Sequence, residues 1–306
     1  MSKEKDTQVV TRKIQILPVD SDHEKIFDLA KEQTENEIKK LKSEIRKAKD
    51  EQTKSNYKNK IKELESTLEK AFNEDKPTQK MINNYVYGLL RDCMKSEAQM
   101  KNYVLSNMFY VLIQEKDNWD LAWEHVNAVA NSGFRVKGSK NGSLYDDTDI
   151  EMPIGSYGVS FSMELKRIFK DSVKKGLLYG KCSLPTYKMD SPFTVAKAHM
   201  GFTHGYDSFE ELAEHINDKD CKMFFDFGGN GKPTIARFKI IIGNKKEQKN
   251  EKELRTTLLR LYSGEYKYCG SSIQFNKNGK KIILNLSLEI PNKKRELDEN
   301  VVVGVD

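Results

Sequence analysis

The sequence predicts an α+β fold: a β-barrel interrupted after its first strand by a long helical insertion, then a fresh strand at the C-terminal end. Three observations predict it. A β-branched run at residues 8–19 stands alone, far ahead of the next β-rich runs at 224–290. Most of residues 21–176 repeats apolar side chains at three- and four-residue steps, the period of a helix. Residues 301–306 read Val-Val-Val-Gly-Val-Asp, a strand that ends on an acid.

The alternation at Ile14 and Ile16 argues for a strand that Pro18 ends. A lone strand has to find its sheet later in the chain, so 8–17 should pair with strands drawn from 224–290 and close a barrel. Residues 21–73 read as two helices, with Ile38, Leu41 and Ile45 on one stripe and Tyr57, Ile61, Leu64, Leu68 and Phe72 on another. The polar run from Arg46 to Asn56 between them is the tip of a charged hairpin. Pro77 and Thr78 punctuate, and a richer helical block follows from Met81 to about Asn131, its aromatics at core spacing. Residues 132–160 hold Gly133, Gly138, Gly142, Gly155 and Gly158 and read as a connection or mobile loop, where Asp146, Asp147, Asp149 and Glu151 serve solubility. A basic helix runs from Phe161 to Lys175 and Gly176 closes it. Beyond it the chain is mostly strand-like, at Phe224–Phe227, Ile235–Ile242, Ser271–Phe275 and Lys281–Ile290. Short helices interrupt at Ser208–Asn217 and Lys252–Ser263.

Net charge is only +6, so its distribution matters more than its sum. Residues 161–200 hold eight Lys/Arg against three Asp/Glu, and 232–301 hold sixteen against eight. Residues 201–231 reverse the sign, with seven acids against two lysines. Positive charge gathered in two blocks suits a polyanion partner. Cys93, Cys182, Cys221 and Cys269 are isolated, with no C-x-x-C pair, which excludes a zinc ribbon or dithiol motif within these residues and fits a reducing cytoplasm. His125, His199, His204 and His215 lack ligand spacing, with His199 and His204 in a Gly-rich loop. No stretch approaches the roughly 18 apolar residues of a membrane span, so a membrane is not an expected partner.

Four segments, in order, resemble one family. Ser183-Leu184-Pro185-Thr186-Tyr187-Lys188-Met189-Asp190-Ser191-Pro192-Phe193 resembles the segment that opens the second part of the wedge barrel in miniature type V CRISPR effectors of the f subtype and in the related transposon-encoded RNA-guided nucleases. Leu258 to Tyr266 resembles the helix and turn before their last wedge hairpin, and Lys281 to Pro291 a strand of that hairpin. Val303-Gly304-Val305-Asp306 resembles the opening of their RuvC nuclease fold. The resemblance implies a wedge-type, oligonucleotide-binding-like barrel with its first strand in 1–20 and the rest in 177–300. It also implies a helical recognition lobe at 21–176 and the start of a RuvC domain at 301–306.

In function it implies guide-RNA and target double-stranded DNA binding by a Mg²⁺-dependent DNA endonuclease of antiviral defence, with two copies sharing one guide. Asp306 is then the catalytic and metal-ligand residue. The family's nuclease needs further carboxylates from later strands, because two Mg²⁺ ions about 3.5–4 Å apart require several oxygen ligands. These residues alone are therefore expected to bind nucleic acid without cutting it. Expected nucleic-acid contacts are Lys166, Arg167, Lys170, Lys174 and Lys175 on the basic helix, and Lys181 and Lys188 in the adjoining loop, on one face with that helix. Tyr187 in that loop is expected to stack on a base, and Arg255 and Arg260 complete the set. The alternatives are a nuclease-dead RNA-guided DNA binder or repressor using the same lobe, and an unrelated coiled-coil structural protein.

Overall fold

The structure, a computed structural model, describes residues 7–19, 24–48, 50–74, 77–133, 135, 137–150, 162–218, 220–228, 235–242 and 248–292. It mixes helix and sheet, with one curled antiparallel sheet forming half a barrel. Strand β1 (Thr7–Val19) leads into helices α1 (Glu24–Lys47), α2 (Glu51–Glu74), α3 (Gln79–Gln114), α4 (Trp119–Ser132) and α5 (Ser162–Lys174). Strands β2 (Phe193–Val195) and β3 (Met200–His204), α6 (Phe209–His215), β4 (Met223–Phe227) and β5 (Ala236–Ile241) follow. Helix α7 (Gln248–Tyr262) precedes β6 (Lys267–Tyr268), β7 (Ser271–Phe275) and β8 (Ile282–Pro291). The expected strand at 301–306, and Asp306 with it, lies outside the described residues.

The lone first strand finds its partners where the sequence places them. β1 runs antiparallel between β8, from Thr7↔Pro291 to Ile16↔Ile282, and β5, from Gln15↔Ile241 to Val19↔Arg237. Pro18, expected to end the strand, is its next-to-last residue. Its carbonyl accepts from Gln79 Nε2 at 2.8 Å, on the side that β8 has already left. The missing N–H of proline points to that same side, so the ladder to β5 loses nothing.

The sheet order is β2-β7-β8-β1-β5-β4-β3, with β6 also on β8. Curling brings its two ends together: the Phe193 ring of β2 meets that of Phe227 on β4 edge-on at 6.1 Å. The expected closed barrel is not formed among the described residues, because β2 and β3 do not pair. β2 is only three residues long, and a 3-10 turn at Lys197–His199 swings the chain away before a ladder can form. Helix α3 protects the open edge instead. Thr194 donates from its N–H and its hydroxyl to Glu97, at 2.8 and 2.7 Å.

Helix α3 is buried in three places in succession. Met81 joins the apolar stripe of the α1–α2 hairpin, which holds Ala30, Ile38, Leu41, Ile61, Leu64 and Leu68. Ile82, Val86, Leu90 and Met94 then cover the concave face of the sheet, over Ile14, Ile16, Phe225, Phe238 and Leu284. Met100, Val104, Leu105, Met108 and Leu112 finally form a second core with α4 and with Leu165 and Phe169 of α5. Thr78 caps its N-terminus, accepting from Met81 N–H. The loop after α4, expected as a mobile connection, is built rather than loose over 137–150. Tyr145 is buried and donates to the Gly133 carbonyl at 3.0 Å. Asp146 accepts from Gly138 N–H and Ser143 N–H, so it shapes the loop rather than merely solubilising it; Glu151 is outside the described residues.

Candidate nucleic-acid interface

The expected contact residues gather around α5, and a buried polar junction fixes them there. Lys101 and Glu97 lie one turn apart on α3 and pair at 2.8 Å, their side chains 6% and 3% exposed. Glu97 also holds β2 through Thr194, so one carboxylate ties the helical part to the sheet. The Lys101 ammonium sits 4.7 Å above the Tyr187 ring. Asn102 clamps the Tyr187 backbone, donating to its carbonyl at 2.9 Å and accepting from its N–H at 2.7 Å. The Tyr187 hydroxyl donates to Glu164 at 3.2 Å. Burial and the neighbouring Glu164 carboxylate push the Tyr187 phenol well above its usual range, which keeps it a neutral donor. Tyr187 was expected to offer its ring to a base. One face of that ring is taken by Lys101, and its work is to dock the 183–193 segment on α3 and α5.

Residues 181–187 run as a strap along α5. Cys182 lies against the Ser172 carbonyl at one end, and Tyr187 meets Glu164 at the other. The α5 cations occupy a different flank. Lys166, Lys170 and Lys174 follow at four-residue steps and so form one row, with Arg167 beside it. Lys166 donates to Asn131 of α4 at 2.7 Å, and Lys166, Arg167 and Lys170 rim a groove of about 340 Å³ floored by Met108, Trp123 and Val126. Lys175 lies further round the helix. The expected single face is therefore a ridge: strap and cation row adjoin the same helix on opposite flanks. The reason is helical geometry, since Glu164 and Ser172 lie about half a turn from the Lys166–Lys170–Lys174 row. The side chains of Arg167, Lys170, Lys174, Lys175, Lys181 and Lys188 are exposed and make no ion pair or hydrogen bond with a described residue.

A second cationic surface was missed in the sequence. A cleft of about 1000 Å³ opens between α3 and the β7–β8 turn, lined by Lys13, Arg91, Lys95 and Lys277, with Asp92 and Asp190 as its acids. Phe275 stacks on Tyr87 at 5.3 Å and carries the Arg91 guanidinium at 5.5 Å. The turn itself is set by Asn276 Oδ1, which accepts from the N–H groups of Lys280 and Lys281, and by Gly279 at φ 65°. The available signal was the Lys277-Asn278-Gly279-Lys280-Lys281 turn. Arg91 and Lys95 on a mostly buried helix gave none.

The α7 arginines do not join either surface. Arg255 donates to Asn217 Oδ1 at 2.9 Å and pairs with Glu251, and it is largely buried. Arg260 donates to the Tyr266 hydroxyl at 2.6 Å, covers its ring at 5.4 Å, and pairs with Glu265 at 3.5 Å. Both help to hold α7 to its neighbours. Of the histidines, His204 ends β3 rather than lying in a loop. Among the described residues no group of three His, Cys, Asp or Glu side chains could hold a metal ion. No described helix is long and apolar enough to cross a membrane.

No protein-family model matches this chain, and no curated protein matches it in sequence.

Proposed function

We propose that this chain is the nucleic-acid-binding lobe of an RNA-guided DNA endonuclease resembling the miniature type V CRISPR effectors. In this reading the half-barrel is the oligonucleotide-binding-like wedge, α1–α5 are the recognition lobe, and 301–306 begin the RuvC strand. Guide RNA and target DNA are the partners, and base pairing between them reads the sequence while the protein holds backbone and shape.

The observation that carries the reading is the ridge of exposed cations on α5, Arg167, Lys170 and Lys174, which pair with no described residue, next to the strap that holds the Ser183–Phe193 segment. Two features add support. The chain leaves the sheet after β1 and returns to it only at the last residue of that same segment, Phe193. The cleft at Lys13, Arg91, Lys95 and Lys277 offers a second polyanion surface between helices and sheet. Mg²⁺ enters this proposal through Asp306 alone. The described residues gather no donor set for the several oxygen ligands that two ions need, so no cleavage step is derived. A coiled-coil structural role is less well supported, because the apolar stripe of the α1–α2 hairpin is consumed within the hairpin and against Met81 of α3.

The test is a salt titration of binding to structured RNA, comparing wild type with Lys170→Ala/Lys174→Ala. Each phosphate contact contributes roughly 0.7–0.9 to the log–log slope, so the double variant should flatten it by about 1.4–1.8. An unchanged slope would remove α5 from the interface.

A further inference from the structure

Tyr179 stands out from every other aromatic residue described here: it is 81% exposed. Rings of this size normally bury most of their surface. The turn that carries it is tightly built. Gly176 and Gly180 bracket it at φ 91° and 66°, left-handed conformations that favour glycine. Tyr179 N–H and Lys181 N–H both donate to the Gly176 carbonyl, at 2.9 and 3.1 Å, and Gly180 N–H donates to Leu177 at 3.2 Å. Leu177 is buried and Leu178 packs on the same core, so two leucines point in while the tyrosine is held out. The charged residues that flank the turn in sequence are the exposed lysines Lys174 and Lys175 before it and Lys181 after it, none paired with a described residue. The stem of Lys181 lies across Gly176, where an added Cβ would come within 2.8 Å of it.

From this arrangement we infer that Tyr179 is a stacking platform for an unpaired nucleobase, with Lys175 and Lys181 holding the phosphates beside it. The inference rests on the nucleic-acid-binding reading and makes it specific. A duplex hides its base faces, whereas a single strand exposes them, and an exposed aromatic ring on a lysine-flanked turn is suited to the latter. A hydrogen-bonded turn also means that the backbone carrying the ring loses little freedom when a base settles on it.

The experiment measures binding of the full chain to a single-stranded RNA, a single-stranded DNA of the same sequence, and a blunt duplex. Wild type is compared with Tyr179→Ala and Tyr179→Phe, after thermal melts show that all three are equally folded. Tyr179→Ala should weaken binding of both single strands roughly tenfold and leave the duplex unchanged, while Tyr179→Phe retains wild-type affinity. Wild-type affinity for single strands in Tyr179→Ala would overturn the platform and leave the wider reading standing. A loss confined to RNA, or shared by the duplex, would also overturn base stacking. Failure of the wild type to bind any of the three would overturn the nucleic-acid reading itself, and the platform with it.

Discussion

Helices α5 and α7 are both amphipathic, both basic, and both press one face against a core, yet their cations meet different fates. On α7, Arg255 is answered by Glu251 in the first turn and by Asn217 after α6, and Arg260 by Glu265 and Tyr266 just past the last turn. On α5, Lys170, Lys174 and Lys175 project into solvent with no acid partner among the described residues. Counting basic residues treats the two alike, and so does the spacing of their acids; the pairs actually made separate them. Glu251 lies four residues before Arg255, the spacing that closes an ion pair on a helix. Asp171 lies four before Lys175, but that pair is not made.

The comparison predicts a trade: the more a cation is spent on the fold, the more its loss costs stability and the less it costs binding. Lys101 is the extreme case. Lys101→Met leaves the buried Glu97 carboxylate without its cation, held only by Thr194, and should destabilise by about 3–5 kcal/mol in urea unfolding. Adding Glu97→Gln removes the stranded charge and should restore much of that loss. Arg255→Leu comes next, at about 2 kcal/mol, because it forfeits hydrogen bonds to a charged group and to Asn217. Its RNA salt slope should stay at the wild-type value, and a flattened slope would show that α7 reaches the ligand after all. Lys170→Ala/Lys174→Ala should stay within about 0.5 kcal/mol of wild type, as exposed surface changes usually do, while altering binding.

The smallest effect is a pH dependence at the end of α6. The His215 imidazolium is held by Asp218 at 2.7 Å, and that hydrogen bond raises its pKa above the usual 6.5. A raised folded-state pKa gives stability that is fully present below about pH 6.5 and is lost as pH rises through the folded value. His215→Gln should flatten the stability profile across that window; an unaltered profile would show that the pair contributes nothing.

Much of the architecture was legible from periodicity. The lone strand at 8–19, the hairpin, the basic helix closed by Gly176, and the four later β-runs all stand where the residues suggest. β2 and β3 were not singled out, because three- and five-residue strands give alternation little room. The successive burials of α3 were hidden too: Ile82, Val86, Leu90 and Met94 share one stripe with Met100, Val104, Met108 and Leu112, and a continuous stripe does not say that it meets two different cores. The site was legible in composition but not in role. Tyr187 in a Pro-bounded loop looks available, and only the fold brings Lys101 and Asn102, 85 residues away for the latter, to occupy it. Tyr179 was overlooked because a lone aromatic between glycines has no periodic signature, and its exposure depends on where Leu177 and Leu178 are buried.

The central place of β1 also sets a schedule. Its register partners begin at Arg237 and end at Pro291, so the first strand made is the last to be completed. At about 5–20 residues per second, a growing chain carries β1 without its sheet for on the order of tens of seconds. Through that interval it is an unpaired, β-branched segment exposed to neighbouring chains. Arg12 and Lys13, both exposed, put like charges in the way of a second copy laid alongside. The helices whose contacts are local can fold in the meantime, and the sheet then assembles around a strand that was waiting for it.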